Sequence, residues 1–177
     1  MEVPILIIPG LGNSGPRHWQ TLWEAANPNM RRVVQRDWDT PLCAEWIESL
    51  EEAVEASGPA TVLVAHSLGT LLVAHWAAKT RQRIAAALLV AVPDPARPDF
   101  PAGVSGFAPV PLRNLPFRST VVASTNDPYG GVGHAASCAV AWGSHFVDIG
   151  PKGHINADSG LGEWNEGYVL LEELLSW

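Results

Sequence analysis

Apolar residues along this chain collect into short runs: Ile5 to Ile8, Val33 to Gln35, Thr61 to Ala65, Ala85 to Val92, Thr120 to Ala123 and His145 to Ile149. Their brevity, their Val and Ile content and the Gly, Pro or Asp at their ends predict six strands buried on both faces. Between most of them the apolar spacing becomes helical, over Trp19 to Ala26, Leu42 to Ala56, Leu68 to Lys79 and His134 to Trp142. Thr40 followed by Pro41 suits an N-cap and first helical position for the second of these. Near the C-terminus Tyr168, Leu171 and Leu175 share one face of a last helix. Strands alternating with helices predict an α/β fold: a doubly wound, mostly parallel six-stranded sheet with helices on both faces.

One stretch escapes this pattern. Pro93 to Arg118 holds seven prolines and no sustained period, so it reads as a long excursion between the fourth and fifth strands, of a kind that is often functional. Its Phe100, Phe107 and Phe117 either line an apolar pocket or anchor the loop to the core. No repeat, low-complexity tract or linker divides the chain, and 177 residues are read as a single domain, 1–177.

Composition narrows the function classes. Eighteen acidic against eleven basic residues give a net charge of −7, with no basic stripe, which argues against nucleic acid or an anionic membrane surface as partner. The longest apolar run, Ile84 to Val92, has nine residues, against about 20 for a membrane span. Met1-Glu2-Val3-Pro4 carries no positive charge, so no secretory signal is visible. Cys43 and Cys138 form no CxxC and no disulfide framework, which together with the missing signal predicts a cytoplasmic protein and inert, packed thiols.

Ala65-His66-Ser67-Leu68-Gly69 closes a buried strand and opens a helix, the setting of a nucleophile elbow. The residues two before and two after the serine must be small, and Ala65 stands where glycine is usual. A serine hydroxyl needs an adjacent base, and the base an orienting acid. In chain order, Asp127 follows the fifth strand and His154 the sixth, both just past carboxyl ends of strands, where open parallel sheets place their sites. For the oxyanion hole the backbone N–H of Leu68, next to the serine, pairs with one from the glycine-rich loop after the first strand, Leu11 by preference or Gly12.

The competing readings are specific. Ser67 could be a plain N-cap serine and Asp127 a turn residue before proline. Asp94, after the fourth strand, is the rival acid. His66 reads as packing or support beside the nucleophile; His75 and His134 read as structural or solvated, and His145 lies inside an apparent strand. Gly10-Leu11-Gly12-Asn13-Ser14-Gly15 matches GxGxxG, with Asp37 about 20 residues further on where a ribose-binding acid would stand. Against a nucleotide-binding oxidoreductase stand bulky Trp19, Pro9 and Pro16 around the loop, and a triad left unexplained. No GxxxxGK, HExxH or Cys/His cluster is present, so neither metal nor cofactor is expected.

Taken together, Pro9-Gly10 through Ser14-Gly15 with His18-Trp19-Gln20, Asp37-Trp38 with Pro41 and Trp46, the Ser67 elbow, Asn126-Asp127-Pro128-Tyr129, Trp142-Gly143-Ser144 and Gly153-His154-Ile155-Asn156-Ala157 through Ser159-Gly160 and Trp164 resemble the small single-domain serine hydrolases of the α/β-hydrolase superfamily related to retinoblastoma-binding protein nine. The resemblance covers nearly the whole chain. It implies Ser67, Asp127 and His154 as catalytic triad on a minimal α/β-hydrolase fold without a large lid domain. The pocket-protein motif Leu-x-Cys-x-Glu is absent, since positions 41 to 45 read Pro41-Leu42-Cys43-Ala44-Glu45, so that partner is not carried over. The expectation is an esterase-like serine hydrolase of the carboxylesterase type, acting on a small-molecule ester or amide at an accessible site without a charged specificity pocket. The alternative is a low-turnover interaction protein on the same fold.

Overall fold

The sheet of this protein, described for residues 3–176 in a computed structural model, has the order β2-β1-β3-β4-β5-β6 with every neighbouring pair parallel. Met1 and Glu2, part of the N-terminal stretch read as lacking positive charge, lie outside the described residues. Strands β1 (Ile5–Ile8), β3 (Val62–His66) and β4 (Ala86–Val90) are buried at every position, which is why they run apolar without alternation. Strand β5 (Arg118–Ala123) is buried beyond Arg118, and β6 (His145–Asp148) forms a partly exposed edge.

Successive strand residues still serve different faces. Leu6, Ile8, Leu63 and Ala65 pack with α2 (Cys43–Ser57), α3 (Leu68–Ala77) and α4 (Val132–Trp142), whereas Ile5, Ile7, Val62 and Val64 pack with α1 (Trp19–Ala26) and α5 (Asn165–Ser176). The alternation of the pleat thus divides one sheet between two helical layers. Among the described residues no helix is long and apolar enough to cross a membrane.

Three expectations need correction. Strand β2 is Met30–Arg32, not Val33 to Gln35. Val33 N–H still reaches Ile7 O at 2.9 Å, but the next ladder bond would need an N–H from Pro9, which proline lacks, and the chain leaves the sheet with Val34 exposed. The cap of α2 is Leu42, not Thr40, and its side chain makes no capping bond. Thr40 is bound to Asp37 instead, while Cys43 N–H is taken up by Ser105 O at 2.9 Å. Strand β4 ends at Val90, because Ala91 turns to φ 58°. In the proline-rich excursion, Phe107 is buried against Trp46 and Phe117 lies beside Trp76. Phe100 lines the cavity over Ser67.

Two close approaches shape the end of β1. A Cβ on Gly69 would lie 2.5 Å from Ile8 O and 2.9 Å from Pro9 O, and one on Gly10 would lie 2.9 Å from Ser67 Cβ. Glycine at both places is what lets α3 and the loop after β1 close on each other.

Candidate active site

Strands β1 and β3 are neighbours, yet α1 leaves the first for one face of the sheet and α3 leaves the second for the other. A crevice therefore opens beyond their carboxyl ends. Ser67 sits in it at φ 54° and ψ −125°, a backbone region rarely held by residues with a side chain. It occupies the N-cap position of α3, but its side chain caps nothing. Its hydroxyl donates instead to His154 Nε2 at 2.7 Å.

The other face of that imidazole is equally well defined. His154 Nδ1 lies 2.9 Å from both Asp127 Oδ1 and Oδ2, so Nδ1 carries the proton and Nε2 offers its lone pair to the serine. Asp127 Oδ1 also accepts from Tyr129 N–H at 2.9 Å, and the carboxylate is buried. The phenol ring of Tyr129 stands edge-on to the His154 ring at 4.6 Å and shields it. Sequence reasoning placed Ser67, Asp127 and His154 separately; the fold brings them into one hydrogen-bonded chain.

Less visible in the sequence is what holds the base in place. Lys152 N–H donates to Ser124 Oγ at 2.9 Å, Gly153 N–H to Asn126 Oδ1 at 2.7 Å, and His66 Nε2–H to the carbonyl of His154 at 2.9 Å. Ser124 and Asn126 come from the loop that carries Asp127, and His66 from the residue before the nucleophile. Three consecutive residues of the base loop are thereby tied to the segments bearing the other two groups. No local signal marks Ser124 or Asn126, since both types are common in loops.

Leu11 and Leu68 line one cavity together with Ser67. Leu68 N–H is an orphan amide at the start of α3, whereas Gly12 N–H is committed to Trp38 O at 2.8 Å. Of the two loop amides considered, Gly12 is therefore the one already engaged. The rival residues fall elsewhere. Asp94 accepts from Ala96 N–H at 2.9 Å and stands 4.0 Å from His134, not beside His154. His75 bonds Phe107 O, His134 bonds Pro93 O, and His145 is exposed on β6. Cys43 and Cys138 are buried, and burial pushes both thiols up to about 11. In the GxGxxG-like loop, the acid expected at a ribose is already engaged: Asp37 accepts from Thr40 Oγ1 and from the N–H groups of Thr40 and Asp39, bonds that hold its carboxyl below its ordinary range.

The cavity over Ser67, about 300 Å³, is walled on the apolar side by Leu11, Leu68, Phe100, Pro101 and Val104. Asp94, Arg97 and Asp99 also line it, which corrects the expectation of an uncharged pocket. Arg97 is held by Asp99 through two bonds of 2.9 and 2.8 Å. These side chains belong to the irregular excursion, where no period reveals which residues face the site.

Beneath the base, His18 and His66 complete a histidine cluster, with ring centroids 4.7 Å apart and His66 4.9 Å from His154. Burial, and secondarily Arg32 and His154, lowers His18 to about 4; burial likewise drives His66 well below 6.5. Both are neutral when folded, whereas the unfolded chain protonates them near pH 6.5. The unfolded state thus binds more protons on falling below that pH, and stability is lost as pH drops. Between pH 7.5 and 5, His18 contributes a loss on the order of 2 kcal/mol. Denaturant unfolding at the two pH values is expected to show it, with a smaller loss in His18→Asn, which retains an N-cap acceptor; an unchanged pH dependence in that variant would refute the assignment.

The chain matches the family described as "Serine hydrolase" over residues 5–173. Among solved structures it is similar to a YdeN-like hydrolase of Pectobacterium atrosepticum, with 31% identity, a TM-score of 0.85 and coverage of 97% of this chain and 89% of the other. The ydeN gene product of B. subtilis shares 19% identity at a TM-score of 0.80, covering 99% of this chain and 100% of the other. A thermophilic esterase from Thermogutta terrifontis shares 15% at 0.72, covering 99% and 90%. The last two identities carry the fold alone. Among curated proteins none matches the chain.

Proposed function

As the chain belongs to the serine hydrolase family, we propose that it cleaves small carboxylic esters or amides through an acyl-enzyme on Ser67, as an esterase of the carboxylesterase type. The observation that carries this reading is the continuous relay from Ser67 Oγ through His154 to buried Asp127. His154 Nε2 takes the hydroxyl proton as Oγ bonds to the substrate carbonyl carbon, and the carbonyl oxygen becomes an oxyanion facing the Leu11 and Leu68 amides. The bond to the leaving alcohol or amine then breaks, and His154 returns the proton to it. Water, deprotonated by the same imidazole, attacks the acyl-enzyme and releases the acid, restoring Ser67. Asp127 keeps the ring in the required tautomer and stabilises the imidazolium without accepting its proton.

The apolar wall beside Ser67 supports a neutral, largely apolar group on one side of the scissile bond. The test of the mechanism is covalent labelling by a fluorophosphonate, with the modified residue found by mass spectrometry. Labelling is expected at Ser67, lost in Ser67→Ala and His154→Ala, and retained in Asp94→Asn. A folded protein that takes no label, or takes it at another residue, would overturn the reading.

A further inference from the structure

A second cavity, about 190 Å³, shares Leu11, Ser67, His154 and Asn156 with the first, but the rest of its wall is of another kind. Besides glycines of the loop after β1, it is lined by Asn13, His18, His66 and Asn156, and no carboxylate lines it. Asn13 Oδ1 accepts from Ser14 N–H at 2.8 Å and from Arg32 Nη1 at 2.9 Å, which fixes the amide and leaves Nδ2 without an acceptor among the described residues. Asn156 Oδ1 accepts from Asp158 N–H at 3.1 Å, and its Nδ2 is likewise unpaired. His18 Nδ1 accepts from Gln20 N–H at 3.1 Å, so its proton sits on Nε2. That Nε2 is buried, on a residue 4% exposed, and has no hydrogen-bond partner.

An unpaired donor at a buried site is uncommon and calls for a reason; here His18 Nε2 is the buried one, with the half-buried Asn156 and the exposed Asn13 beside it. These three donors around one small cavity, with a guanidinium behind Asn13 and no carboxylate in the wall, are complementary to a group that accepts hydrogen bonds without donating them. The volume admits about six water-sized groups. Building on the serine hydrolase reading above, we propose that the preferred substrate has two unlike halves: an apolar one in the 300 Å³ cavity, and a short, oxygen-bearing, hydrogen-bond-accepting one in the cavity of Asn13, His18 and Asn156. Such a wall discriminates because an analogue lacking the oxygen leaves its donors unpaired.

Two pairs of esters, each differing by one oxygen in place of a methylene, test this. Hexyl methoxyacetate against hexyl butanoate probes the acyl half, and 2-methoxyethyl hexanoate against butyl hexanoate the alcohol half. Their kcat/KM ratios, divided by the ratios for alkaline hydrolysis, are measured for the wild type and for Asn13→Asp, Asn156→Asp and His18→Asp. Each variant offers an oxygen for the local backbone bond while removing the donor. Because both esters of a pair are compared on the same enzyme, altered folding or base strength cancels.

In one pair the ether is expected to be preferred by about tenfold, and the preference to collapse toward unity in the variants. No ether preference in either pair, or one that persists in all three variants, overturns the proposal. A protein labelled at Ser67 that turns over none of the four esters overturns the substrate class alone. Absence of labelling overturns the hydrolase reading with it.

Discussion

Ser67→Ala is expected to lower kcat for any ester the protein turns over by about 10⁴ or more, with an unchanged fold. The side chain makes no capping bond to α3, and its hydroxyl serves only His154. What positions residue 67 is its backbone. Its N–H donates to Val90 O at 2.9 Å, and its carbonyl accepts from Thr70 N–H at 2.8 Å and Thr70 Oγ1 at 2.7 Å. All three survive the substitution. Thermal unfolding within a few degrees of wild type, together with the loss of turnover, is the expected pair of results; retained turnover would remove Ser67 as nucleophile.

Asp127→Asn should cost nearly as much, about 10⁴ in kcat, by a subtler route. Tyr129 N–H donates to Oδ1, so the asparagine oxygen is held at that position and its NH₂ takes the place of Oδ2, 2.9 Å from His154 Nδ1. The oxygen at the Oδ1 position still lies 2.9 Å from Nδ1, but the amide donor beside it opposes the Nδ1–H tautomer and favours the one in which Nδ1 accepts and the ring proton sits on Nε2. The imidazole then faces Ser67 with a donor and cannot take its proton. Steady-state kinetics and the rate of fluorophosphonate labelling should fall together, while unfolding stays cooperative. A variant with wild-type labelling would show that the carboxylate is not orienting the base.

Both arguments use residues that sequence alone had singled out, and the reason is physical. The elbow needs small residues at fixed offsets from Ser67, and Asp127 and His154 follow strands whose apolar runs are unmistakable, so local constraints point to all three. The boundaries that were missed depend on partners distant in the chain. Strand β2 stops where Pro9 lacks an N–H, and α2 begins where Ser105 receives Cys43. The charges of Asp94, Arg97 and Asp99 in the cavity, and the hold of Ser124, Asn126 and His66 on the base loop, arise from tertiary placement of residues with no pattern of their own. Between Leu11 and Gly12 the choice turned on one long-range bond, from Gly12 to Trp38.

The contact between Gly69 and the carbonyls of Ile8 and Pro9 gives this protein a kind of fuse. The bend at Ser67 lies in a region its residue type rarely adopts, and it is held where β1 meets the first turn of α3 and Gly10 abuts the serine. A nascent chain, or one whose first strand has come away, therefore carries a serine like any other on the surface. Under the proposed mechanism an activated Ser67 depends on this packing, so fluorophosphonate labelling is expected to count intact molecules.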